Sequence, residues 1–463
     1  MSNKFPDNII YTISLYLTRD DILNLGLVFP NINLYIPTET QKDGRDISLN
    51  YKQRLAYAAM LNGENMFLTG PGGVGKSLII KMFYNDVIGF RNIALTAITG
   101  IAAFNIGGVT LHSFLGIGLG DGSPFFLENK IKKSPFYRKR WNDLEVLIID
   151  EISMIDPDLF DKLELLARKI RRNESPFGGI QIICSGDMLQ LPPVKKDKFC
   201  FEAESWEKVI KKIYILSEIR RQDDPIFQNI LNEIRFGKSS EDGLKIIRNC
   251  IGKKLEIKNG IKPTKIFPVN WKVDSINQDE LEKLNKDLIE YEMEIKVNQA
   301  LKIDKEKYLK NMKVERNLFL CVGAQVVLLR NLDTFSGLIN GSRGVVTHFT
   351  ENDIPYVKFL NGMEIPIEYH EWTVMENDIV IIAVEQIPLK LAWATTIHSC
   401  QGLTLDYIEL SLENTFEYGQ FYVALSRARN INGLTILEDF SNKKIKAHPK
   451  ALEFYRKIEE VEI

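Results

Sequence analysis

From residue 49 onward, short apolar runs alternate with segments of helical spacing. "NMFLTG", "NIALTA", "EVLIIDE", "GIQIICSGD" and "KIYILSE" are apolar on both faces. A strand apolar at successive positions is covered on both sides, as in a parallel sheet flanked by helices. A second set follows, including "PTKIFPVN" and "YIELSL". The alternation predicts an α/β fold built from βαβ units. "CVGAQVVLLRNLDTFSGLINGSRGVVTHFT" is β-rich with glycine turns, and predicts a small β-barrel inserted into the second unit over about residues 320–385. Residues 277–312 are charged and predict helix or solvated chain. Before residue 49, Ile9, Ile10, Ile13 and Leu17 fall at helical spacing. Thr18 and Asp21 then resemble a capping box, so a small separate helical element is expected.

The composition is 45% hydrophobic and 26% charged over 463 residues, enough for two or three globular cores. No apolar run reaches the roughly 18 residues of a membrane helix. "DIVIIAVEQIPLKLAWATTI" is broken by Glu385 and Lys390, and "MSNKFPDN" has no apolar signal core, so an intracellular protein with no membrane partner is expected. The five cysteines are scattered without a CxxC, which argues against disulfide or zinc frameworks. The formal net charge is −2, so any nucleic acid must be held in a local groove rather than by a general basic excess.

The chemistry begins in "FLTGPGGVGKSLII", residues 67–80. Gly70, Gly75, Lys76 and Ser77 match G-x-x-x-x-G-K-[ST] between an apolar strand and a helix. Gly70, Pro71, Gly72, Gly73, Val74, Gly75, Lys76 and Ser77 are therefore the expected ATP-phosphate cradle. Backbone N–H groups and the helix N-terminus favour phosphate there. Lys76 is expected to reach the β- and γ-phosphates and Ser77 to ligate Mg²⁺. In "VLIIDEISMI", Asp150 is placed to hold Mg²⁺ and Glu151 to orient the attacking water; an acidic pair after a strand can also merely cap the next helix. Gln190 in "ICSGDMLQLPPV" is the candidate γ-phosphate sensor, or else stabilises its loop. Arg221 and Arg427 are the cationic candidates for charge on a transferred phosphoryl group.

"GPGGVGKS", "TAITGIAAFNIGGVTLHSFLGIG", "IIDEISMID", "GDMLQLPPV", "RRQDDPIFQNILNEIRFG", "VGAQVVLLRNLD…GLINGSRGVV", "TTIHSCQGLTLD" and "GQFYVALSRARN" occur in this order. The set resembles the Pif family of superfamily-one DNA helicases, relatives of the RecD-type enzymes, over about residues 49–437. The resemblance implies two RecA-like P-loop domains, at 46–215 and 216–440, with a strand-separating insertion at about 115–141 and a C-terminal tail at 441–463. It implies ATP-dependent 5′-to-3′ translocation on single-stranded DNA and unwinding at duplex junctions, in replication, recombination or repair. Lys76, Ser77, Asp150, Glu151, Gln190, Arg221 and Arg427 take the roles above, and Gln53 matches the adenine-reading glutamine. Thr99, Gly100, Thr110, His112, His398, Gln401 and Gly402 match positions along the DNA strand. One departure is "HSCQG", where the family usually has lysine after the histidine: Ser399 supplies no cation. His398 also reads as a core histidine.

"IKKSPFYRKRW" interleaves Lys132, Lys133, Arg138, Lys139 and Arg140 with Phe136, Tyr137 and Trp141. It suits single-strand binding by stacking and phosphate contact, or else is a solvated charged loop with one buried Trp. Residues 1–45 resemble an F-box, which implies a Skp-type adaptor as partner through residues 1–40. That resemblance, with the abundance of Lys, Asn and Ile, suits a eukaryotic nucleus or a viral replication compartment. The rival functions are a ubiquitin-ligase adaptor for DNA-bound proteins and an RNA-directed translocase.

Overall fold

The computed structural model describes residues 49–461, apart from 119, 194–197, 223, 256–259, 298–305, 307–308, 310–313, 331, 334–335, 337, 339–340, 377–378, 402–404, 414 and 416. The F-box-like element and Gly402 lie outside the described residues.

The first lobe is a parallel six-stranded sheet. Its strands are β1 (Met66–Thr69), β2 (Ile93–Ala97), β3 (Val109–Thr110), β4 (Val146–Asp150), β5 (Gln181–Gly186) and β6 (Lys212–Ile215), in spatial order β3-β2-β4-β5-β1-β6. The doubly apolar runs are strands because each face has its own cover. Met66, Leu68, Val146, Ile148 and Ile183 join one core, while Phe67, Leu147, Ile149, Ile182 and Cys184 join the other. All five parallel pairings point the strands the same way, so the segments following β1, β4 and β5 leave at one edge. That edge is where ligands bind in open α/β sheets.

The second lobe has four parallel strands in the order Ala394–Thr396, Thr264–Phe267, Ile408–Leu410, Leu434–Ile436, over its own core. The β-rich insertion is wider than the expected 320–385. It runs over residues 289–391 and pairs as three antiparallel sheets. Residues 277–312 are correspondingly not all helix or solvated chain. Helix Asn270–Glu282 is followed by strands Ile289–Glu292, paired with Asn317–Leu320, and Glu294–Val297, paired with Ile379–Gln386. In "IEYE" the glutamates take one face and Tyr291 the buried one, so charge masks a period-two pattern.

Within the expected tail at 441–463, the described residues 441–461 pack on the body of the protein. Helix Pro449–Val461 returns to the first lobe, where Ala447, Ala451, Tyr455 and Ile458 are buried in its core.

"IKKSPFYRKRW" is helical rather than a loop. Helices Pro124–Lys133 and Pro135–Asp143 each begin with Pro behind a capping serine, Ser123 or Ser134. Trp141 is buried and its Nε1–H donates to Leu115 O at 3.0 Å. Arg140 lies 4.1 Å from the Phe136 ring centroid and 4.6 Å from that of Phe114. The aromatics are thus largely engaged by the protein itself, whereas Lys133, Arg138 and Lys139 face solvent.

Candidate active site

The loop after β1 needs glycine. Gly70 has φ +140° and Gly73 φ +88°; a Cβ would lie 2.1 Å from Leu216 O at the first and 2.4 Å from Arg221 Cβ at the second. Lys76 folds back over this loop, and its Nζ donates to Gly70 O at 2.7 Å and Pro71 O at 2.9 Å. Burial lowers its pKa, opposed by Asp187, Glu151 and Asp150.

Ser77, in the first turn of helix Lys76–Val87, and Ser185, in β5, set their hydroxyls near the Asp150 carboxylate, where they favour its charged form. Burial outweighs the hydroxyls and raises the pKa of Asp150. The paired hydroxyl and carboxylate are oxygen donors that suit a hard cation whose remaining ligands are phosphate and water. Among the described residues, no group of three His, Cys, Asp or Glu could hold a metal by itself.

Glu151 adopts a left-handed conformation, φ 54°. Burial, then the charge of Asp150, push its pKa up to about 7. Its Oε2 accepts from Gln401 Nε2 at 3.0 Å, and the same Nε2 lies 3.5 Å from Gln190 Oε1. Gln401 therefore sits in the cleft between the lobes, not on the strand-binding edge where the resemblance puts it. The turn after Thr396 carries its side chain back toward Glu151.

Arg427 follows helix Gln420–Leu425 of the second lobe and is 1% exposed. It donates to Val423 O, Cys400 O and Ser426 Oγ. Arg221 belongs to the connector between the lobes, where Arg220 N–H donates to Gly73 O at 2.9 Å. Burial, then repulsion from Arg427, lower the Arg221 pKa to about 9. A Cβ on Gly72 would lie 3.3 Å from Arg221 Nη1 and 3.6 Å from Arg427 Nη2. Both guanidinium groups thus reach the phosphate loop. The cleft has a volume of about 420 Å³, and its walls include Lys76, Ser77, Asp150, Glu151, Gln190, Arg221, Gln401 and Arg427.

Gln53 is buried with both ends of its amide engaged by backbone: Nε2 donates to Val74 O, and Oε1 accepts from Asn50 N–H, each at 3.0 Å. It braces the loop from below. Thr99 and Gly100 follow β2, and the Thr99 hydroxyl accepts from Ala102 N–H at 3.1 Å. Thr110 ends β3, and His112 follows, its pKa lowered by burial against the pull of Asp121. His398 follows Thr396, with Nε2 3.5 Å from Glu417 Oε2. These residues fall at the carboxyl edges of the two sheets, outside the cleft walls. Ser399 is exposed and bonds Thr396 Oγ1 with its N–H and its hydroxyl.

Four participants were missed. Asp187 is fully buried and gripped by Arg235 through two 2.9 Å bonds, and Gly72 N–H donates to the Tyr422 hydroxyl at 3.1 Å. These three lie inside the quoted blocks "GDMLQLPPV", "NEIRFG" and "GQFYVALSRARN". The fourth, Tyr455, lies outside every block and had no local signal.

A family model described as PIF1-like helicase matches residues 48–243, and one described as DNA helicase Pif1, 2B domain matches residues 307–349. ATP-dependent DNA helicase PIF1 of Xenopus laevis is 40% identical over 423 residues, which cover 90% of this chain and 65% of that protein. The chain thus spans about two thirds of that relative's length. The crystal structure of Pif1 helicase from Candida albicans superposes with a TM-score of 0.79 at 36% identity, covering 89% of this chain and all of that one. Pif1 helicase from Bacteroides in complex with ADP-AlF3 and ssDNA gives 0.69 at 32% identity, covering 90% and 98%.

Proposed function

The chain belongs to the PIF1-like helicase family, and from that premise we propose that it is an ATP-dependent DNA helicase that translocates 5′-to-3′ on single-stranded DNA and unwinds duplex junctions. The observation that carries this is the convergence of Arg221 and Arg427 on Gly72 across the seam between the lobes. A cleft walled by both lobes makes their separation depend on what it holds.

In this reading the triphosphate of ATP lies along residues 70–77, and Lys76 exchanges its loop carbonyls for phosphate oxygens. Ser77 and Asp150 would hold Mg²⁺, which neutralises phosphate charge when bound. Glu151 takes the proton of the attacking water, a role suited to a carboxyl that titrates near neutral pH. It must first release Gln401, which couples hydrolysis to the turn bearing His398. Gln190 contacts the γ-phosphate, and Arg221 and Arg427 offset the charge that develops as it leaves. Thr99, Gly100, Thr110, His112 and His398 line the strand's path across both sheet edges. The Bacteroides neighbour, in complex with ADP-AlF3 and ssDNA, supports a body that carries a nucleotide and a single strand together.

The work would lie in DNA replication, recombination or repair, in a nucleus or a viral replication compartment. A Skp-type adaptor is a further proposed partner through residues 1–40. Its co-purification should disappear when that segment is deleted.

The deciding experiment is unwinding of 5′-tailed and 3′-tailed duplexes with ATP and Mg²⁺. Unwinding from the 5′ tail, abolished in Lys76→Ala with DNA binding retained, is expected. Unwinding only from the 3′ tail would overturn the polarity.

A further inference from the structure

The last helix, Pro449–Val461, carries a phenol into the centre of the molecule. Tyr455 is 2% exposed, and its hydroxyl meets three groups. It lies 2.5 Å from Thr69 Oγ1, in the final residue of β1, immediately before Gly70. It accepts from Met188 N–H at 3.3 Å and donates to Asp187 Oδ1 at 3.1 Å. A phenol offers one hydrogen and accepting lone pairs. With Thr69 as donor, all three contacts are satisfied at once.

Asp187 extends the linkage. It accepts from Leu189 N–H at 3.1 Å and Gln190 Nε2 at 3.4 Å. It is also held by Arg235, which ends helix Pro225–Arg235 of the second lobe. That guanidinium lies 4.9 Å from the Tyr455 ring centroid. One phenol therefore joins the strand that feeds the phosphate loop to the turn that carries Gln190, beside an ion pair that crosses the lobe seam.

We propose that Tyr455 is a positioning residue for ATP hydrolysis, acting through Asp187 on Gln190 and through Thr69 on the phosphate loop. The inference rests on the ATPase reading above. It makes the chain's final helix part of the catalytic frame. Buried polar networks behave as units, so losing one member disturbs the rest.

The test is Tyr455→Phe in the full chain, which keeps the ring and removes the hydroxyl. We expect kcat for DNA-stimulated ATP hydrolysis to fall about tenfold while KM for ATP stays within about twofold. Amide exchange at Met188 and Gln190 should accelerate, with exchange inside helix Pro449–Val461 unchanged. Thr69→Val, which removes the other hydroxyl, should lower kcat similarly, and the double variant should fall short of additivity. A lowered melting midpoint with kcat unchanged would reduce Tyr455 to a packing residue and overturn the proposal. If the wild-type protein hydrolyses no ATP, the ATPase reading fails. The exchange measurement still decides the linkage, and unaltered exchange at Met188 refutes it without reference to activity.

Discussion

Gln401 of the second lobe donates its side-chain amide to the Glu151 carboxylate of the first, Nε2 to Oε2, at 3.0 Å. The carboxylate proposed to orient water is thus occupied by a neighbour whose turn leads to the proposed strand-binding edge. Hydrogen bonds to charged groups contribute roughly 1.5–3 kcal/mol, enough to hold a resting state and weak enough to release it. Gln401→Ala should raise ATP hydrolysis without DNA about threefold to tenfold and reduce the base pairs opened per ATP consumed. A fall in DNA-independent hydrolysis would show that the amide assists chemistry instead of restraining it.

Glu151 titrates near neutrality because burial raises its pKa to about 7, with Asp150 adding to the shift. Single-turnover hydrolysis should therefore rise with pH and level off above about 7. Stability runs the other way. A carboxyl whose folded pKa exceeds its unfolded value holds a proton in the native state that the unfolded chain has released, so folding stability declines as pH rises from the unfolded pKa through the folded one. Glu151→Gln should abolish hydrolysis, flatten that decline, and unfold at higher denaturant than wild type at pH 8.

Arg221 and Arg427 meet at Gly72, and burial, then the like charge of Arg427, bring the Arg221 pKa down to about 9. A phosphate bound between them would relieve that repulsion. Arg221→Ala should reduce kcat by about a thousandfold with a smaller change in ATP affinity, the scale on which an arginine finger contributes. Rapid-quench hydrolysis with a parallel nucleotide titration separates the two. Equal losses in affinity and rate would make Arg221 a ground-state contact.

Asp187 and Arg235 form a buried pair across the lobes. Burial favours the neutral carboxyl of Asp187, but the Arg235 guanidinium outweighs it and holds the pKa below the usual carboxylate value. Removal of one partner from a buried pair typically costs about 3–5 kcal/mol. Arg235→Met should lower unfolding stability by that order in urea. The wild type's advantage should be full above the unfolded carboxylate pKa and shrink as pH falls through the folded one. A cost below about 1 kcal/mol would mean that water replaces the guanidinium.

Lys133, Arg138 and Lys139 face solvent on the helices before β4. If they touch a DNA backbone, replacing all three by alanine should weaken single-strand binding and shrink the salt slope by about two, given roughly 0.7 per phosphate contact. Titrations at several salt concentrations check this, and an unchanged slope would exclude these helices from the interface.

Much of the site was legible because its chemistry is local. The phosphate loop, Asp150, Glu151, Gln190, Arg221 and Arg427 each follow a strand or helix whose pattern announces it, and each lies at or beside the cleft. Gln401 was misplaced because its position in the chain, three residues past His398, does not say which way the turn directs its amide. The sheet-forming 289–297 segment was hidden by surface charge.

The local spacing of residues 67–80 and the doubly apolar strands determined the α/β fold and a phosphate-binding loop, because phosphate cradles and buried strands depend on neighbours in the chain. Only the tertiary structure decided that Arg427 and Gly72, 355 positions apart by their numbers, face one another, and that Tyr455 reaches Thr69. Those meetings depend on how two lobes and a returning helix pack, a long-range balance of burial and pairing that no short stretch encodes.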